Sequence, residues 1–140
     1  MITRETIYAA LFAKLIAAYG WGEFSRRLKH WGDPFASPAM FMAQRHETPS
    51  QQRGLPSKWT LLADVYIYIN MGESDTELPA IQLNPALDAI EAAVAPDSSS
   101  GFQTLGGLVS HAWINGTIET DEGTLGSKAV AIVPIEILAV

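Results

Sequence analysis

Lys58-Trp59-Thr60-Leu61-Leu62-Ala63-Asp64-Val65-Tyr66-Ile67-Tyr68-Ile69-Asn70 decides the fold class of this chain. Trp59, Leu61, Ala63, Val65, Ile67 and Ile69 fall on one side of an extended backbone. Thr60, Leu62, Asp64, Tyr66, Tyr68 and Asn70 fall on the other. Alternation sustained over that length predicts a long sheet strand with one face in a core. Two tyrosines and a leucine on the second face predict that it too is partly covered.

The segments around this strand supply the rest of the layout. Residues 3–19 read as a helix, with Tyr8, Leu11, Phe12 and Leu15 on the i, i+3, i+4, i+7 spacing, Thr3 as N-cap and Gly20 as the stop. Residues 23–31 read as a strand, because glycines precede it and Gly32-Asp33-Pro34 closes it, although neither of its sides is cleanly apolar. Met40 to His46 reads as a further strand, and Thr48 to Ser57 as polar and turn-rich. An acidic loop from Gly72 to Pro79 leads to a second helix. Asn84 is its expected N-cap, Pro85 lies in its first turn, and Leu83, Leu87, Ile90 and Val94 form its apolar face. Residues 97–107 form a Ser/Gly-rich loop. Strands over about 108–120 and 128–139, joined by the polar connector 121–127, predict a C-terminal hairpin. The last strand is apolar on both faces, so it is expected to be buried on two sides. Pro134 lacks an N–H, which predicts a sheet edge or a bulge there. The order gives an α+β fold: an antiparallel or mixed sheet of four to five strands, two helices on one face and a C-terminal β-hairpin.

With 140 residues, 48% hydrophobic and 17% charged, the chain is expected to form one globular domain over 1–140 that holds its core without staples. The absence of cysteine excludes disulfides, thiolate metal sites and a cysteine nucleophile. No apolar run reaches the roughly 20 residues that cross a bilayer, and Met1-Ile2-Thr3-Arg4-Glu5 lacks the order of a secretory signal, so no membrane role is expected.

The net charge of −6 is unevenly distributed. Residues 1–58 carry eight bases and four acids, a net +4. Residues 59–140 carry one base, Lys128, and eleven acids, a net −10. Either the two parts pair within one fold, or a basic patch on one copy meets an acidic patch on the next. An acidic chain is in any case poorly suited to grip nucleic acid by its phosphates.

Sequence patterns for catalysis are missing. His30, His46 and His111 are scattered outside metal-ligand spacings, and His111 reads as a structural histidine within a strand. Glu119, Asp121 and Glu122 could attract a divalent cation but do not follow the EF-hand pattern, and a solvated turn accounts for them. There is no nucleophile elbow and no phosphate-binding lysine loop. Asn115-Gly116-Thr117 reads as a strand-end turn. An enzymatic or ligand-binding domain would need a concave site joining groups such as His111, Asp64 and Tyr66, and no spacing brings them together. Arg26, Arg27, Lys29 and Trp31, with Phe35 and Phe41 in or beside loops, read better as protein-contact residues than as a nucleic-acid strand.

The series Ser25-Arg26-Arg27-Leu28-Lys29-His30-Trp31, Arg53-Gly54-Leu55-Pro56-Ser57-Lys58-Trp59-Thr60, Thr104-Leu105-Gly106-Gly107-Leu108-Val109 and Ile118-Glu119-Thr120-Asp121-Glu122-Gly123 resembles a family of small proteins encoded by long-tailed phages and prophages. The resemblance spans nearly the whole chain, and the element order is similar to that of lambda-type tail terminators. It implies a structural virion protein of the tail or neck, made in the host cytoplasm, with no catalytic residue and no cofactor. It further implies a ring, of six copies in that class, that ends the tail tube, stops its polymerisation and offers the surface that joins the head-completion or neck protein. DNA would pass through without specific binding, and Glu119, Asp121 and Glu122 are candidates for an acidic lumen. Tail-tube and head-completion or adaptor proteins of similar size are the rival readings within the same class.

Overall fold

The computed structural model describes residues 2–71, 78–122 and 128–140. Most of the expected acidic loop at 72–79 and most of the connector at 121–127 lie outside these residues. Helix α1 (Arg4–Ala18) is followed by β1 (Glu23–Ser25), β2 (Ala39–Ser50), β3 (Lys58–Asn70), α2 (Pro79–Ala93), β4 (His111–Ile114), β5 (Glu119–Asp121) and β6 (Lys128–Ala139). The strands form one mixed six-stranded sheet in the order β1-β2-β3-β6-β4, with β5 also pairing with β6. β1 runs parallel to β2, and every other pairing is antiparallel. The α+β class therefore stands, with one strand more than the upper count expected from sequence.

β3 has the expected bounds, and its odd-numbered residues face the core. Leu61, Ala63, Val65, Ile67 and Ile69 join Ala129 to Ala139 of β6, Met40 and Met42 of β2, and the apolar faces of both helices. On α1, Ile7, Tyr8, Leu11 and Leu15 are fully buried, and each large apolar side chain so buried contributes about 1.5–3 kcal/mol. The Thr3 hydroxyl caps this helix by accepting from the Thr6 amide at 3.3 Å. Both helices cover the same face of the sheet. The opposite face carries Leu62, Asp64, Tyr66 and Tyr68 of β3 and their neighbours across the ladders.

Four expectations change. The strand expected over 23–31 stops at Ser25, because the following residues have no apolar side to bury. Residues 26–38 instead cross the helix-free face, where Trp31 and Phe35 pack on Ala39, Phe41, Tyr68, Tyr66 and Val130. β2 continues to Ser50, with a bulge between Gln44 and His46 that makes Arg45 the extra residue. Helix α2 begins at Pro79 with Leu78 as N-cap, so Asn84 caps nothing and Pro85 lies inside the helix. Either proline suits a first turn, and burial of Leu83 and Ala86 in the core holds the earlier one helical. Finally, the segment expected as one strand over 108–120 is split into β4 and β5.

That split resolves the proline in β6. β6 is an interior strand, not an edge. Pro134 pairs with Asp64 of β3, and its carbonyl accepts from the Asn115 amide at 3.1 Å on the other side. Backbone N and C=O of one residue point the same way in a strand, so the missing N–H faces the gap between β4 and β5. Gly116 fills the gap at φ 113°, a value that side chains disfavour.

Candidate assembly interface

The sheet order converts the charge order of the chain into two unlike flanks. β1 and β2, from the basic part, form one flank; β6, β4 and β5, from the acidic part, form the other. Three of the four early acids are occupied within the subunit: Glu5 with Arg26, Glu23 with Lys29 at 2.7 Å, and Glu47 with Arg4 at 2.6 Å. Arg4 also lies over the Trp59 ring at 4.6 Å. Arg45 pairs loosely with Asp64. Among the described residues this leaves Arg27 and Arg53 as the two arginines with no carboxylate partner, both exposed. Beside Arg27, Phe24 and Leu28 are 46% and 44% exposed.

The acidic flank mirrors this composition. Ile118 and Phe102 are 39% and 53% exposed there, with Glu119 and Glu122 also exposed. The one late base is turned away: the Lys128 ammonium donates to the carbonyls of Trp31 at 2.9 Å and Asp33 at 3.3 Å, and sits over the Phe35 ring. Among the described residues, one flank thus offers exposed apolar side chains with an unpaired arginine, and the other exposed apolar side chains with exposed carboxylates.

The residues singled out from sequence divide accordingly. Arg27 is free for a partner, whereas Arg26 and Lys29 hold the subunit's own Glu5 and Glu23. Trp31 and Phe35 are half-buried against the helix-free face. Phe41 is 1% exposed and belongs to the interior of that cluster, not to a surface. Glu119 and Asp121 lie on β5, opposite Ile132 and Val130 and so on the helix-free face, with Glu122 just beyond. His111 is satisfied structurally: its Nδ1 accepts from the Gln103 amide at 3.0 Å and its ring stacks on Trp113.

Sequence reasoning did not find the groove that these elements form. On the helix-free face a half-open groove of about 440 Å³ is lined by Arg45, Asp64, Tyr66, Asn115, Glu119 and Ile132 among others. A second depression of about 400 Å³ adjoins it, sharing Tyr66, Glu119 and Ile132 and extending to Trp31 and Tyr68. Asp64 is 8% exposed and is the only buried charged side chain among the described residues. Its Oδ2 lies 3.7 Å from Arg45 Nε, beyond hydrogen-bond reach, and its Oδ1 has no hydrogen-bond partner. Burial and then the Asp64 charge raise the pKa of the Tyr66 phenol, partly offset by Arg45. Asp64 and Tyr66 thus come together, but His111 stands apart from them on β4. Among the described residues no three histidines or carboxylates are placed to hold a metal ion, and no helix is long and apolar enough to cross a membrane. No protein-family model and no curated protein matches this sequence.

Proposed function

We propose that this chain is a structural protein of a long-tailed phage, a tail terminator whose copies close into a ring on the end of the tail tube, stop its growth and present the head-joining surface. The observation that carries the reading is the pair of unlike flanks at the two sides of one sheet. A heterologous contact needs two different surfaces on each copy, and a rotation that closes turns such contacts into a ring. Phe24, Leu28 and Arg27 supply one surface; Ile118, Phe102, Glu119 and Glu122 supply the other. The acids at the β5 end, Asp121 and Glu122, are candidates for the passage, where like charge keeps DNA from adhering.

The test is light scattering and negative-stain imaging of the full chain mixed with tail tubes of the same phage. The expected result is a ring of six subunit masses capping one end of each tube. Stacked tubes of the protein alone would favour the tail-tube reading, and binding to portal or neck without tubes would favour the adaptor reading.

A further inference from the structure

We infer that the groove beneath Arg45 and Glu119 is a socket for a guanidinium group carried by a second copy of this chain. The inference rests on the head-to-tail reading above and names the residues that would make the contact. Its starting point is Asp64, a carboxylate at the middle of the central strand, flanked by Ala43 on β2 and Pro134 on β6. A buried carboxylate with incomplete hydrogen bonding is destabilising, and such a group in a native fold calls for a cause. Among the described residues the subunit answers it only with Arg45, whose side chain is 57% exposed and whose Nε stays 3.7 Å away.

The groove walls fit a cation. Glu119 on β5 stands opposite Tyr66 across β6, and Asp64 lies two residues before Tyr66 on β3, so both carboxylates and the tyrosine ring line the same groove. Two carboxylates against one arginine leave the groove net negative, and a ring beside them favours a planar cation. Asn115 and Thr117, from the break between β4 and β5, add polar atoms at the rim. The complementary groups lie in the same chain: among the described residues Arg27 and Arg53 are the arginines with no carboxylate partner, and both belong to the basic part of the chain. A guanidinium from the neighbour would complete the charge that Asp64 lacks.

The full chain is titrated with N-acetyl-arginine amide and followed by two-dimensional NMR, and self-association is followed by sedimentation with and without tubes. Probe shifts are expected to be confined to the surroundings of Tyr66, Asn115 and Ile132, with apparent affinity at least about tenfold weaker in Glu119→Gln and Asp64→Asn. Association should fall by at least about tenfold in the same two variants and in the Arg27→Glu/Arg53→Glu double variant, while Glu91→Gln, on the exposed side of α2, behaves as wild type. Asp64→Asn should leave the thermal midpoint of the lone subunit unchanged or raise it, and if that variant fails to fold, Glu119→Gln carries the comparison. Absent probe shifts, or shifts that Glu119→Gln leaves intact, overturn the socket. Groove shifts combined with association indifferent to Arg27→Glu/Arg53→Glu overturn the second copy as occupant. Intact socket results with tubes left uncapped sink the terminator reading alone.

Discussion

Replacing Tyr68 by phenylalanine should make the protein less stable at neutral pH and more stable than wild type in strong alkali. Tyr68 is 4% exposed, its hydroxyl donates to the Lys29 carbonyl at 2.6 Å, and its ring packs with those of Phe35 and Phe41. This contact, with the Lys128 bonds to Trp31 and Asp33, fastens segment 26–38 across the sheet. Removing the hydroxyl deprives the Lys29 carbonyl of its donor and should cost about 1 kcal/mol at pH 7. Burial, and secondarily the neighbouring Tyr66, push the Tyr68 pKa from 10.0 up to about 12. A folded-state pKa above the unfolded one favours the protonated form on folding. The contribution is therefore complete below pH 10 and is lost as pH rises through 12. Two units correspond to at most about 2.7 kcal/mol. Phenylalanine does not titrate, so the two stability curves should cross above pH 10. Urea unfolding read by tryptophan fluorescence between pH 7 and 11.5 measures both curves, and every other alkaline titration is common to them. Curves that stay parallel across that range would refute the assignment of a raised Tyr68 pKa to burial beneath segment 26–38.

Three further outcomes are expected. Leu11→Ala, at a fully buried position of α1, should lower unfolding free energy by about 2–5 kcal/mol in urea titrations. Gly116→Ala should destabilise by about 1–3 kcal/mol, since the position has φ 113° and an added Cβ would lie 3.3 Å from Pro134 Cγ; an unchanged urea midpoint would mean that the gap between β4 and β5 is not fixed by this turn. Arg26→Glu with Arg27→Glu should weaken subunit association in a salt-dependent way, whereas Arg27→Glu alone spares the Glu5 contact and isolates the surface charge. Sedimentation unchanged across ionic strengths would remove both arginines from the interface.

Where the sequence was legible, one local pattern settled the outcome. β3 alternates without interruption and lies between β2 and β6, so burial and periodicity agree at every odd position. α1 has a single N-cap candidate and a single apolar stripe. α2 offered two prolines with equal claim to the first turn, and the choice fell to tertiary packing of Leu83, which no local rule contains. Residues 108–120 kept strand character locally, yet the break at Gly116 answers a proline 18 residues later in another strand. The candidate site was legible only as a charge count. That Arg26 and Lys29 are held by Glu5 and Glu23, while Arg27 is not, depends on distances between elements. The Asp64 groove depends on Glu119, which pairing through β6 brings to the same face from 55 residues along the chain.

The strand edges bear on how such flanks can meet. β1 has three residues and covers only Ala39–Phe41 of β2, whose remaining edge is broken by the bulge at Arg45 and by Pro49; β4 has four residues, β5 three, and that edge is interrupted at Gly116. Edges this short and broken are poor templates for adding a strand from another copy, which disfavours growth of a continuous intermolecular sheet. On the proposed ring reading, contact between copies would fall to side chains: Phe24 and Leu28 on one flank, Ile118 and Phe102 on the other, and the charges near them. Such a contact would be modest for two copies alone and sensitive to ionic strength. It would become strong if a tube end held several copies side by side, because each added neighbour would then bind at high effective concentration. On the proposed reading, the same feature keeps the protein from polymerising by itself and lets it close only where a tube is ready to be capped.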